Sequence, residues 1–246
     1  MNKKQSKLVE FIVDQKCIPW TINQLFRKIF VFLGMLLKDP EKYKRFWRQC
    51  LDRKYSAAGF ILHVYGPDFL KDCEEVCEAV GVKPFLIFGT LLGFVRENGF
   101  IPHDYDIDLG LTEEDFGKKH LIMELFLKKG YRQRHNDDYY FSFIHPEHSS
   151  LFVDFDRVYK ENNKLVIGLL DESDKKTLFC YYFPIEAMDK FRAVTFYNCR
   201  IFIPFDPKIF LTVAYGEWQK SKQGHDYIYD YENLFIGDVK HEKSKK

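Results

Sequence analysis

The chain has no apolar run long enough to cross a bilayer. The longest, Ile29 to Leu37, is nine residues, against the roughly 20 that a membrane-spanning helix needs. No secretory leader is visible, because Glu10 and Asp14 interrupt the apolar stretch that follows Lys3, Lys4 and Lys7. The six cysteines lack metal-ligand spacing. Cys73 and Cys77, four apart on an apolar stripe, read as small buried hydrophobes rather than a metal or redox pair. The expected setting is a reducing, cytoplasmic one, with the chain soluble or peripheral at the cytoplasmic membrane face. Net charge is nearly absent too. The 37 Lys and Arg against 36 Asp and Glu leave +1, which argues against a strongly cationic nucleic-acid binder, so no nucleic-acid partner is expected. Internal repeats are also missing.

What is present supports a substantial core. The 246 residues are 46% hydrophobic and 17% aromatic, with 25 Phe and 15 Tyr, a composition suited to bulky packing on a sheet. The charges are segregated. Residues 1–55 hold 13 basic and 5 acidic side chains, a net of +8, and residues 56–246 hold 24 and 31, a net of −7. This divides the chain into a basic, aromatic-rich helical extension over 1–66, a catalytic domain over 67–237 and a Lys-rich, disordered tail over 238–246. The extension mixes Lys and Arg with Phe, Trp and Leu, as interfacial helices do. Residues 1–55 are therefore expected either to contact a membrane peripherally or to pack on the body.

Within the body, Phe69, Cys73, Val76, Cys77 and Val80 form one helical stripe after Asp68, ended by Gly81. Val82 to Phe88 reads as a buried strand ending at Gly89-Thr90. Ile107, Leu109 and Leu111 alternate with Asp106, Asp108 and Gly110, the period of a strand. Thr112 to Asp115 resembles a capping box opening a helix that runs to Gly130. Strands are predicted over 139–144, 151–158, 165–167, 177–183 and 193–203, with a turn at Asn162-Asn163, and a last helix over 207–214. The His145-Pro-Glu-His148 pair reads as a surface turn. This order predicts an α+β fold: a nucleotidyltransferase-like mixed β-sheet with flanking helices, plus the N-terminal helical extension.

The chemistry is concentrated between Gly89 and Asp156. On a strand, Asp104, Asp106 and Asp108 would share one face. A row of like charges is costly unless a cation neutralises it, and hard carboxylate oxygens suit Mg²⁺ or Mn²⁺. A water-facing edge strand is the plainer reading of the same row. Upstream, Gly89 and Gly93 could bring backbone N–H groups near a phosphate, with Thr90 adding a hydroxyl and Arg96 a planar fork. Val153-Asp-Phe-Asp156 sets Asp154 and Asp156 on one face of a later strand. Either could complete a three-carboxylate cluster.

Gly89-Thr90, then fifteen residues, then Asp106-Ile-Asp108, with a third acid later, resembles a nucleotidyltransferase-fold site. More narrowly, Gly89-Thr-Leu-Leu-Gly-Phe-Val-Arg96, Gly99-Phe-Ile-Pro102, Asp104-Tyr-Asp-Ile-Asp108 and Tyr215-Gly-Glu-Trp218 resemble the LicD/fukutin family. Phe94, Glu97, His103 and Tyr105 stand where that family usually carries other side chains. The resemblance implies a metal-dependent phosphotransferase. It would move a phosphocholine- or alditol-phosphate-type group from a CDP-linked donor to a hydroxyl of a glycan or lipid-linked glycan, releasing CMP. It also implies Asp106, Asp108 and Asp154 as catalytic and metal-binding residues, Asp104 and Asp156 as additional acids, and Gly89, Thr90 and Arg96 on the donor-phosphate side. Two other outcomes use the same fold: nucleotidyl transfer with loss of pyrophosphate, and a non-catalytic scaffold.

Overall fold

The computed structural model describes residues 57–170, 177–220 and 233–238. The expected helical extension up to residue 56, its membrane contact and the tail beyond 238 lie outside the described residues.

Helix α1 (Ala57–Val80) leads into strand β1 (Phe85–Leu86), helix α2 (Phe88–Glu97) and strand β2 (Asp106–Thr112). Short helices α3 (Glu113–Phe116) and α4 (Lys119–Lys128) follow, then strands β3 (Arg132–Asn136), β4 (Tyr140–Ile144), β5 (Phe152–Glu161), β6 (Lys164–Leu170) and β7 (Thr177–Phe183). A 3₁₀ turn precedes the β8 (Phe191–Phe196) and β9 (Cys199–Pro204) hairpin, helix α5 (Pro207–Tyr215) and strand β10 (Leu234–Asp238). Among the described residues these strands form one mixed sheet in the order β10-β7-β6-β5-β2-β1-β9-β8, with β4 on β5 and β3 on β4. The fold is α+β, a mixed sheet with flanking helices.

Strand β5 organises the sheet. One edge pairs in parallel with β2 from Phe152 to Val158. The other edge is shared, β4 taking Phe152 to Asp156 and β6 taking Val158 to Glu161. Alternation sends Ile107, Leu109, Val153, Phe155, Phe141 and Phe143 to one face, all fully buried. Phe126 of α4 stacks on Phe143 at 4.6 Å between centroids, and Phe69 of α1 lies edge-on to Phe126. Burying six large apolar side chains at roughly 1.5–3 kcal/mol each fixes this face against the helices. The opposite face is left to the carboxylates.

Several expectations are corrected. The first helix begins by Ala57 rather than after Asp68, and Pro67 lies inside it. The boundary expected at residue 66/67 therefore falls within a continuous helix whose Ile61 and Leu62 are fully buried. The strand expected over 82–88 shrinks to two residues, because Phe88 turns to a φ of 39° and starts α2. Thr112 caps α3 by accepting from the Asp115 N–H at 3.2 Å. The helix then breaks at Gly117, where the Gly117 and Lys118 N–H groups fold back onto Glu113 and Asp115 carbonyls, so α3 and α4 replace one long helix. The run 193–203 is a hairpin turned by Tyr197 and Asn198, with φ of 49° and 65°. Asn162 and Asn163 turn the β5–β6 hairpin with φ of 46° and 61°, as their side chains favour. Strands β3 and β10 were not anticipated.

Helix α1 packs tightly on the loop before β2. A Cβ on Gly59 would lie 1.9 Å from the Pro102 carbonyl oxygen, and one on Gly66 would lie 2.8 Å from the Phe100 ring. In an unhindered helix Gly→Ala stabilises by up to about 1 kcal/mol. Here Gly59→Ala is expected to destabilise by about 1–3 kcal/mol, read as the midpoint of urea unfolding. An unchanged or raised midpoint contradicts this placement of the helix.

Candidate active site

The parallel register of β2 and β5 sets Asp108 opposite Asp154 and Asp106 opposite Phe152. Because side chains alternate, Asp106, Asp108 and Asp154 share the face away from the aromatic core. One carboxylate oxygen from each lies within 4.8 Å of the other two. Asp104 joins them by a different route. It sits in the loop before β2 rather than on the strand, its Oδ1 accepting from the Tyr105 N–H at 3.1 Å. Burial, and then the neighbouring carboxylates, push Asp106 and Asp108 well above the usual carboxylate range. Burial also raises Asp104.

The start of α2 is fitted to this charge. The Thr90 N–H donates to Asp108 Oδ2 at 3.3 Å, and the Asp108 N–H donates to Thr90 Oγ1 at 2.8 Å. The pair locks the helix N-terminus, with its unsatisfied N–H groups and positive end, to the acidic strand. Gly89 has no room for a side chain. A Cβ there would lie 2.5 Å from Asp104 Oδ2 and 3.3 Å from Asp108 Oδ2. Gly89 and Thr90 thus open a helix against the carboxylates. At the other end, Asn98 adopts φ 50° and its N–H donates to the Gly93 carbonyl. A Cβ on Gly93 would lie 2.5 Å from the Gly99 oxygen. The two glycines let the chain double back toward Asp104.

Two expected residues lie apart from the triad. Arg96 is seven residues beyond Gly89, about 10 Å along the helix at 1.5 Å per residue. Its Nη1 donates to the Trp218 carbonyl at 3.2 Å and its Nε to Glu97 Oε1 at 3.0 Å. These bonds tie α2 to the C-terminal segment. Asp156 is on the carboxylate face but sits beneath the cluster, 2% exposed, and its Oδ1 has no hydrogen-bond partner among the described residues. Burial, then Asp154 and Asp108, hold its carboxyl well above the ordinary range. The His145-Pro-Glu-His148 segment does turn at the surface, the His148 N–H donating to the His145 carbonyl at 3.3 Å with Pro146 and Glu147 exposed. His148 itself is fully buried, its ring centroid 3.7 Å from that of Tyr65 at a 35° tilt, and burial lowers it to about 4.

The sequence missed what lies beyond Asp154. Ser142 pairs with Asp154, and His135 pairs with Ser142, so Asp108, Asp154, Ser142 and His135 form a row across four strands. The register slips between Gln133 and His135. Arg134 is the extra residue of this bulge; its Nη1 lies 3.8 Å from Asp154 Oδ1 and its guanidinium 4.3 Å from the Phe152 ring centroid. Strand β3 is polar throughout, Arg-Gln-Arg-His-Asn, so no period in the sequence betrays it. A lone arginine two residues from another gives no signal either.

A family model described as LicD/FKTN/FKRP, nucleotidyltransferase domain, matches residues 81–206. Over 224 residues the chain is 32% identical to an uncharacterised protein of Rickettsia typhi, covering 89% of this chain and 68% of that one. It is 29% identical over 170 residues to an uncharacterised protein of Rickettsia prowazekii, covering 68% of this chain and 60% of that one. A 42-residue stretch is 52% identical to human ribitol 5-phosphate transferase FKRP, covering 17% of this chain and 8% of that protein. The chain thus spans between about two thirds and less than a tenth of the length of these relatives. Among solved structures, the lincomycin-bound lincosamide antibiotic adenylyltransferase LnuA aligns with a TM-score of 0.37 at 14% identity, covering 55% of this chain and 77% of that one.

The buried Asp156 makes a prediction of its own. An unfolded Asp titrates near 3.9, and the folded value is higher. The stability this group supports is therefore complete below about pH 4 and is lost as pH rises through the folded value. In Asp156→Asn, the metal-free melting temperature is expected to fall less between pH 5 and pH 8 than in the parent. An equal fall in both proteins contradicts a protonated, buried Asp156.

Proposed function

Because the chain belongs to the LicD/FKTN/FKRP nucleotidyltransferase-domain family, a family of transferase domains, we propose that it transfers a phospho-substituent from a CDP-activated donor. The group is of the phosphocholine or alditol-phosphate type. The acceptor is a hydroxyl of a cell-surface glycan or glycolipid, and CMP is released. The observation that carries this reading is the triad, three carboxylate oxygens mutually within 4.8 Å on adjacent parallel strands.

The residues present fit a hard divalent ion. The donors are all carboxylate oxygens; burial and then repulsion among neighbouring carboxylates raise Asp106 and Asp108, and Mg²⁺ or Mn²⁺ would relieve that repulsion. Asp106, Asp108 and Asp154 would hold it, with Asp104 alongside, and the ion would supply positive charge to the donor's phosphoryl oxygens. The chain's own residues do the rest. The N-terminal amides and hydroxyl at Gly89 and Thr90 stiffen Asp108 and offer a positive helix end to the diphosphate. Asp154 orients the acceptor hydroxyl and takes its proton as the oxygen bonds to the distal phosphorus. The bond from that phosphorus to the CMP oxygen breaks, and CMP carries away the electron pair. Arg96 holds α2 to Trp218 and so positions the amides.

No helix among the described residues is long and apolar enough to cross a membrane. In this reading the +8 leader, which lies outside the described residues, carries the body to an anionic membrane surface where lipid-linked acceptors reside. The assignment of the body up to residue 237 as one catalytic domain and the cytoplasmic location belong to the same proposal.

A panel of CDP-linked donors with Mg²⁺ or Mn²⁺, assayed for CMP and pyrophosphate, tests the reaction. CMP release that depends on an acceptor glycan is expected. Pyrophosphate as the product replaces this reading with nucleotidyl transfer, and neither product with any donor leaves a scaffold. Asp106→Asn is expected to lower turnover by about a hundredfold to a thousandfold, the span of losses seen when a group stabilising transition-state charge is removed. Its metal-free melting temperature should not fall. Retained turnover contradicts the assignment.

A further inference from the structure

We propose that the ring of Tyr105 is the platform on which the acceptor sugar rests beside Asp154, an inference that rests on the phosphotransfer reading above. Tyr105 interrupts the acidic run between Asp104 and Asp106. Of the large hydrophobic side chains that stand exposed among the described residues, it is the one inside the acidic motif, at 46%. A singly exposed aromatic ring needs no explanation by itself; the place of this one between the two walls of the site supplies it. Successive residues here turn opposite ways. Asp104 turns toward α2, so that a Cβ on Gly89 would lie 2.5 Å from its Oδ2. Tyr105 turns toward β5, its ring centroid 5.5 Å from that of Phe152 at a tilt of 53°. In the sheet, β2 has β5 on one side and β1, which leads into α2, on the other. The donor diphosphate belongs to the α2 side, where the Thr90 N–H meets Asp108. Tyr105 stands on the opposite side.

The β5 side is where the acceptor meets its base. Alternation puts Phe152 on the same face as Asp154, the residue that takes the acceptor proton in this reading. Two residues at about 3.3 Å each separate them by roughly 6.6 Å along the strand, comparable to the breadth of one sugar ring. The C–H faces of a sugar ring are apolar and its rim is hydroxylated. One flat aromatic ring can therefore hold it by a face while a rim hydroxyl reaches Asp154. The platform is anchored before any ligand arrives. Phe152 is partly buried, with the Arg134 guanidinium 4.3 Å from its ring centroid, and it buttresses Tyr105 from β5. The Tyr105 N–H donates to Asp104 Oδ1 at 3.1 Å, which fixes the backbone. A rigid aromatic side chain offers its area at little conformational cost. A cytosine base is the other flat partner such a ring would take, and the test separates the two.

The test compares the full-length chain with Tyr105→Ala and Tyr105→Phe. The probes are the methyl pyranosides of glucose, galactose and N-acetylglucosamine, followed by saturation-transfer NMR. CDP is titrated calorimetrically with Mg²⁺ present, and Mn²⁺ alone by electron paramagnetic resonance. We expect at least one pyranoside to receive saturation at its ring protons from the parent. Tyr105→Ala should weaken that binding at least about tenfold, the scale of one lost aromatic contact, and Tyr105→Phe should retain it. CDP and Mn²⁺ affinities should hold in both variants. With a competent donor and acceptor, the loss in Tyr105→Ala should fall on the acceptor KM more than on kcat or the donor KM. Equal pyranoside binding by Tyr105→Ala and the parent overturns this inference, as does a parent that binds CDP but no pyranoside; both leave the phosphotransfer reading standing. A fall in CDP affinity in Tyr105→Ala with pyranoside binding kept assigns the ring to the base and overturns it too. A parent protein that binds Mn²⁺ but neither CDP nor inorganic pyrophosphate overturns both.

Discussion

Repulsion among carboxylates crowded onto one face of two parallel strands is the constraint to which the rest of the site answers. Asp108 and Asp154 are register partners and Asp106 is two residues along, so the pairing that buries Ile107, Leu109, Val153 and Phe155 also forces the acids together. A slip of one residue would turn acids into the core and apolar side chains out. The hydrophobic face therefore pays for the charged one. The amides at Thr90 and Gly89, which lower Asp108 against burial and its neighbours, and the raised proton affinity of the buried Asp156 are local answers to the same excess.

The topology explains why the acids can be held so close. Parallel neighbours need a long crossover, and between β2 and β5 the chain inserts α3, α4 and the β3–β4 hairpin. That insertion covers the aromatic face with Phe126 and returns β4 along β5, setting Ser142 beside Asp154. It also brings a bulged edge strand to the rim, where Arg134 meets Phe152. On the other side of the site, close approach takes the place of side chains. Gly89 and Gly93 leave room for carboxylates and for the returning loop, and Gly59 and Gly66 let α1 press on that loop.

Much of this was legible in the sequence, and for definite reasons. The alternation of Ile107, Leu109 and Leu111 with acids marks a half-buried strand, and Val153-Asp-Phe155 marks its partner. The Asn162-Asn163 and Pro207 signals work through local backbone preferences, which tertiary context leaves intact. What escaped reading depends on pairing between distant segments. Phe88 leaves the strand with a positive φ, so an apolar run became two strand residues and a helix. Ile61 and Leu62 belong to the core although Pro67 punctuates the helix. Strand β3 has no apolar period because its side chains stay largely exposed, and a bulge is invisible to any period-two count. Arg96 shows what motif reading leaves out: its identity fits a phosphate, and its hydrogen bonds to Glu97 and the Trp218 carbonyl could not be read from the motif.

The account stands or falls on Asp106, Asp108 and Asp154 forming one divalent-cation site. Anomalous diffraction at the manganese edge, from crystals of the full-length chain grown with Mn²⁺, tests this directly. The predicted result is a peak bonded to oxygens of all three carboxylates at about 2.0–2.3 Å, within the range for hard divalent ions. Manganese held elsewhere, or none at millimolar concentration, would contradict it.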